Sequence, residues 1–111
     1  MWEGHVDNFI VFLRSQGLVA TSIRTKRNHV LQLARAFPDI PPTELDPGSL
    51  VEWCGTRAWA NETRHAYYST FRRFFGWLDS TRHCGNISTV LPRIRRPSGV
   101  PRPIPDSVLV D

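Results

Sequence analysis

Apolar side chains recur at helical spacing in four stretches of this chain. From Glu3 to Ser15, Val6, Phe9, Ile10 and Leu13 stand at i, i+3, i+4 and i+7, one face of a helix. Gly17 follows, where a glycine supplies the left-handed turn that ends such a helix. From Ser22 to Phe37, Ile23, Val30, Leu33, Ala34 and Phe37 share a face. Thr21, Arg24, Thr25, Asn28, Gln32 and Arg35 share the other, with Thr21 or Ser22 as cap and Pro38 as stop. Asp46-Pro47 reads as an N-cap followed by proline at the first helical position. Leu50, Val51, Trp53 and Cys54 give that short helix its apolar side, and it ends near Thr56. Asn61 is the expected cap of the last and longest helix, whose stripe is Tyr68, Phe71, Phe74, Phe75 and Leu78. That helix ends before Gly85-Asn86. Strand periodicity is weak throughout. The pattern predicts an all-α fold, a four-helix bundle with the helices crossing at steep angles.

Beyond Ile87 the pattern stops. Five prolines (Pro92, Pro97, Pro101, Pro103, Pro105) fall between residues 92 and 105, beside Arg93, Arg95, Arg96 and Arg102. Proline at this density forbids a regular helix and favours an extended strap. The expected organisation is a helical domain over 1–88 and a linker over 89–111. A length of 111 residues suits one domain, and 41% hydrophobic residues suffice for a core. No apolar run approaches the ~20 residues of a membrane span. The start of the chain lacks the charged-then-apolar order of a signal peptide. Cys54 and Cys84 are too few for a disulfide scaffold, so a reduced, intracellular setting is expected.

Charge sharpens the picture. Lys+Arg 14 against Asp+Glu 10 gives +4, and Lys26 is the one lysine. Residues 1–60 balance at zero, while 61–111 hold eight basic and four acidic groups. Within the first half, 20–37 carries Arg24, Lys26, Arg27 and Arg35 with no acid. Surface helices usually interleave Arg with Glu, so this acid-free stretch favours a polyanion as partner over a merely solvated face. The second and fourth helices share a pattern of apolar stripe behind, short Thr, Ser and Asn plus longer Arg in front. Short side chains let a helix approach DNA, and Arg reaches phosphates or guanine edges. Other chemistry is missing from the pattern. His5, His29, His65 and His83 are scattered, with no metal-ligand spacing, and the glycines are isolated, with no phosphate loop. Cys54 on an apolar face is a core residue. No cofactor, metal or catalytic residue is expected.

Three motifs in order carry a resemblance. The first is Phe9-x3-Leu13-x3-Gly17-Leu18-x3-Ser22-Ile23. The second is Thr63-x5-Ser69-x2-Arg72-Arg73-Phe74-Phe75-x2-Leu78. The third is Gly85-Asn86-Ile87, then Leu91-Pro92 and Pro101-Arg102-Pro103-Ile104-Pro105. Together they resemble the N-terminal core-binding (SAM-like) domain of tyrosine recombinases, the phage integrases and their chromosomal relatives. The family often has Tyr, Asp, Arg and Leu at the positions of Lys26, His29, Ala66 and Tyr68. The change at Ala66 passes a DNA-contacting role to Arg64, Tyr67 or Arg73.

The resemblance implies a domain that clamps double-stranded DNA at a core-type recombination site, acting in DNA integration and recombination. It implies Thr21, Ser22, Arg24, Thr25, Arg27 and Asn28 as contacts from the second helix. Thr63, Arg64, Tyr67, Thr70 and Arg73 would serve from the fourth, and Arg93, Arg95 and Arg96 from the strap. The family's catalytic Arg, Lys, His-x-x-Arg and Tyr belong to a second domain, so this stretch is expected to lack catalysis while its parent cleaves and rejoins DNA. Other recombinase protomers in a tetrameric synapse are the implied protein partners, in a bacterial or phage-infected cytoplasm. Phe71, Phe75 and Leu78 read as core. Trp77 suits either a subunit contact or burial against a neighbouring helix, and Arg72 either DNA or a carboxylate at the core edge. Competing readings are a helical protein-interaction module with a Pro-rich tail ligand, and a helix-turn-helix repressor, which the long proline-rich connection after the second helix disfavours.

Overall fold

A computed structural model describes residues 2–92 of the chain. Its order is α1 (Trp2–Ser15), α2 (Ala20–Ala36), a 3₁₀ turn (Pro42–Glu44), α3 (Pro47–Gly55), α4 (Asn61–Arg82) and a second 3₁₀ turn (Ile87–Val90). The described residues contain no strand, so the fold is all-α. The strap and its Arg93, Arg95, Arg96 and Arg102 lie outside the described residues.

The stripes meet as their spacing requires. Val6, Phe9 and Leu13 of α1, Ile23, Val30 and Leu33 of α2, Leu50 and Cys54 of α3, and Tyr68, Phe71, Phe74, Phe75 and Leu78 of α4 form one buried cluster. Aromatic edges lock α1 to α4: the Phe9 and Phe74 rings meet edge-on at 5.1 Å between centroids. Trp77 lies 5.6 Å from Phe9 and 6.0 Å from Phe12, so it is half-buried against α1 within the same chain. Trp2 joins the core, and its indole Nε1 donates to the carbonyls of Phe37 (2.9 Å) and Ile40 (2.8 Å). That forked bond ties the start of α1 to the end of α2 and sets the two helices side by side.

The turns explain the remaining geometry. Gly17 takes φ 81°, the left-handed conformation that an L side chain resists, and the chain reverses there into α2. Asp46 caps α3 by accepting from Ser49 N–H at 3.2 Å, with Pro47 at the first position. A Cβ on Gly48 would stand 2.9 Å from that capping carboxylate, so a larger residue there displaces the cap. Two caps differ from expectation. Helix α2 begins at Ala20 with Val19 as N-cap, and α4 begins at Asn61 with Ala60 as N-cap, neither with a side-chain bond. Thr21, Ser22 and Asn61 thus stand inside the first turns. Here the chain turns from extended backbone one or two residues before the polar side chain that could have capped it.

Residues 86–91 pack back onto the helices. Asn86 caps the second 3₁₀ turn by accepting from Ser88 N–H at 3.0 Å, and Leu91 is buried in the core. Arg72 of α4 donates to the carbonyls of Leu91 (3.3 Å) and Pro92 (3.0 Å), with its guanidinium 5.9 Å from the centre of the Tyr68 ring. Backbone carbonyls thus hold the Arg72 guanidinium at the end of the described chain.

Candidate nucleic-acid interface

Helices α2 and α4 pack against each other, and a buried polar pair joins them. Nδ1 of His29 and Oγ1 of Thr70 are 2.7 Å apart, both buried. The Thr70 hydroxyl also donates to the Ala66 carbonyl at 3.2 Å. A hydroxyl has one proton, so its oxygen accepts from a His29 protonated at Nδ1. Burial lowers the His29 pKa, and Lys26 one turn earlier lowers it further.

A column of rings continues from His29. Its imidazole stacks on Tyr67 at 4.0 Å, and Tyr67 stacks on Trp59 at 4.0 Å. Trp59 meets Trp53 of α3 edge-on at 5.5 Å. Arg64 closes the column. It donates to the carbonyls of Cys54 (2.6 Å) and Arg57 (2.7 Å), and its guanidinium lies 5.3 Å from the Trp59 ring centre. The column therefore fastens α2, α4 and the α3–α4 connection together.

These contacts divide the expected residues. Thr70 has 1% of its surface exposed, so it is a buried joint between helices and offers nothing to an outside ligand. Arg64 is half-buried and bonded to backbone carbonyls, a fastener of the α3–α4 turn. Tyr67 has both ring faces covered and is half-buried. Thr63, Arg73, Thr21, Arg24, Thr25, Arg27 and Asn28 are exposed, and Ser22 is half-buried. The Thr25 hydroxyl donates to the Thr21 carbonyl at 3.0 Å, leaving its oxygen as an acceptor.

The exposed α2 residues also separate by edge. Thr21, Ser22, Thr25 and Lys26 line a shallow cavity of about 220 Å³. Arg24 and Arg27 line a different groove of about 450 Å³, with Arg14, Ile10 and Leu18 from α1 and the first α1–α2 turn. A helical wheel explains the split: residues 22, 25, 26 and 29 turn toward α4, whereas 24 and 27 turn toward α1. Lys26 was absent from the expected contacts, although its spacing from Ser22 and His29 places it on the α4-facing edge. Burial lowers its pKa, and the positive charge of Arg73 lowers it further. Arg73 in turn donates to the side-chain carbonyl of Gln16 at the end of α1. Sequence periodicity had no means of finding Gln16, because it reaches the site across the bundle.

Among the described residues no cluster of His, Cys, Asp or Glu could hold a metal ion, and no helix is long and apolar enough to cross a membrane. Cys54 is buried, which pushes its thiol up to about 11, out of the nucleophilic range.

Among the described residues, four helices without a strand, with an acid-free basic helix packed against a long aromatic one, define a small helical domain. A solved structure with this architecture is an integrase from mycobacterium phage Brujita, matched at TM-score 0.75 and 27% identity over 88% of this chain. The match bears out the resemblance read from the sequence and is consistent with the N-terminal domain of an integrase. This chain spans 34% of the length of that integrase. No protein-family model and no curated protein matches the sequence.

Proposed function

We propose that this chain is the core-binding domain of a site-specific tyrosine recombinase, gripping duplex DNA through the α2–α4 edge. The observation that carries the reading is the acid-free α2 with its exposed Thr, Asn and Arg side chains, packed against α4 on a fold shared with a phage integrase. Thr21, Ser22, Thr25 and Asn28 are short enough to let α2 approach the backbone. Arg73 supplies positive charge from α4, Arg24 and Arg27 add charge from the α1-facing side of α2, and Thr63 stands in the first turn of α4. Arg64, Tyr67 and Thr70 set the angle between the helices instead of touching DNA. Arg93, Arg95 and Arg96, which follow Pro92 in the sequence, add positive charge. The domain contributes grip and register. Strand cleavage and rejoining through a phosphotyrosine belong to the parent recombinase, acting with further protomers in a tetrameric synapse. The setting is the cytoplasm of a bacterium or of a phage-infected cell.

The test is binding to a fluorescent duplex between 50 and 200 mM salt. With ~4–6 phosphates neutralised, log affinity falls against log salt with a slope of about −4 to −5. Binding that ignores salt over that range overturns the reading.

A further inference from the structure

Helices α1 and α2 leave between them a groove of about 450 Å³. Ile10, Leu18 and Ile23 give it an apolar floor, and Arg14, Arg24 and Arg27 stand around that floor. No carboxylate lines it. Ile10 and Leu18 are half-buried and the three arginines are exposed, so floor and rim are both open to a partner. Val19, which follows Leu18 in the chain, is an exposed large apolar residue, and so is Val11, three residues before Arg14 on α1. The rim arginines differ from Arg64 and Arg72, whose guanidinium groups are bonded to backbone carbonyls of the chain itself.

Floor and rim call for different complements. Apolar side chains alone would cover the floor and leave three cations without counter-charge. A nucleic-acid backbone would answer the cations and leave the floor against phosphate and sugar. A helix with an apolar face flanked by carboxylates answers both, since Arg24 and Arg27 are themselves one turn apart on α2.

We infer that the α1–α2 groove docks an acidic amphipathic helix of a partner protein, its apolar side chains on Ile10, Leu18 and Ile23 and its carboxylates on Arg14, Arg24 and Arg27. The inference goes beyond DNA binding, which in the proposed account takes the opposite, α4-facing edge of α2. Planar guanidinium forks suit carboxylates, and charge matched across the rim sets which partner fits.

The probe is a fluorescent synthetic helix of about four turns, with Leu at i, i+3, i+4 and i+7 and Glu beside them. Two matched peptides replace every Glu by Gln or every Leu by Ser. The Glu–Leu peptide is expected to bind the unaltered chain saturably, and either replacement weakens binding roughly tenfold. Amide resonances of Ile10, Arg14, Leu18 and Arg24 move as it is added. Arg14→Gln, on α1 and away from the proposed DNA edge, weakens the peptide roughly tenfold and leaves affinity for a short duplex within about twofold. Arg35→Gln, an exposed position in the last turn of α2 outside the groove, controls for charge loss alone and leaves peptide binding unchanged. Each variant is checked for helical content before use. No saturation below about 1 mM peptide, equal binding of either replacement peptide, or Arg14→Gln matching Arg35→Gln overturns the inference. Groove resonances that move with duplex DNA and stay still with the peptide assign the groove to nucleic acid and overturn it as well.

Discussion

At the scale of single residues, the α2–α4 edge turns on His29 and Thr70. Their hydrogen bond is buried, and removing the Thr70 hydroxyl leaves the Nδ1 of His29 without its partner. Thr70→Val therefore costs about 1–3 kcal/mol of stability, read from urea unfolding. His29 also makes stability depend on pH. Its pKa in the folded chain is lowered, chiefly by burial, so the unfolded chain binds the proton more readily. The resulting stability is fully present above the unfolded value of about 6.5 and is lost as pH falls from there toward the folded value. NMR titration of the His29 ring is expected to give a midpoint below that of a free histidine, and a midpoint at or above it contradicts the packing. Such pairs are invisible in a sequence. Thr70 looks there like any small polar residue on a helix front, because only the packing of α2 on α4 decides that its hydroxyl faces inward.

At the scale of elements, helix existence and apolar faces were legible, whereas the roles of the arginines were not. The period of Val6, Phe9 and Leu13, or of Phe71, Phe74, Phe75 and Leu78, predicts burial directly, and these residues are buried. Phe71→Ala is accordingly expected to cost about 3–5 kcal/mol in equilibrium unfolding. Arginine has no such signature, because its long stem lets one residue reach DNA and another reach a carbonyl several residues away. Arg64 reads as a contact on a wheel but is bonded to the carbonyls of Cys54 and Arg57. Arg64→Met should lower stability by about 1–3 kcal/mol and leave the salt slope of DNA binding unchanged. A stable variant with a flatter slope would return Arg64 to the interface. Caps failed for a related reason: Asp46 has a proline behind it to fix the start of α3, whereas Thr21, Ser22 and Asn61 have extended residues before them that take the cap position.

At the scale of the whole molecule, the +4 charge resolves into places. One is the α4-facing edge of α2 with Lys26, another the α1–α2 groove with Arg14, Arg24 and Arg27, and a third the Pro- and Arg-rich sequence after Pro92. The order of motifs along the chain made the fold legible, since each fixes one turn or one face. The division of α2 into an α4-facing edge and an α1-facing edge needed the structure. In the proposed account DNA lies along the α4-facing edge of α2 at Thr21, Ser22 and Thr25, and at Arg73 of α4. The central claim is that this edge is where DNA lies. The direct measurement is an amide-resolved NMR map of the chain as a short duplex is added. The account predicts shifts concentrated on α2 from Thr21 to His29 and on α4 around Arg73, with α3 unmoved. Shifts centred on α3 and the Pro42–Glu44 turn, or none at low salt, would contradict it.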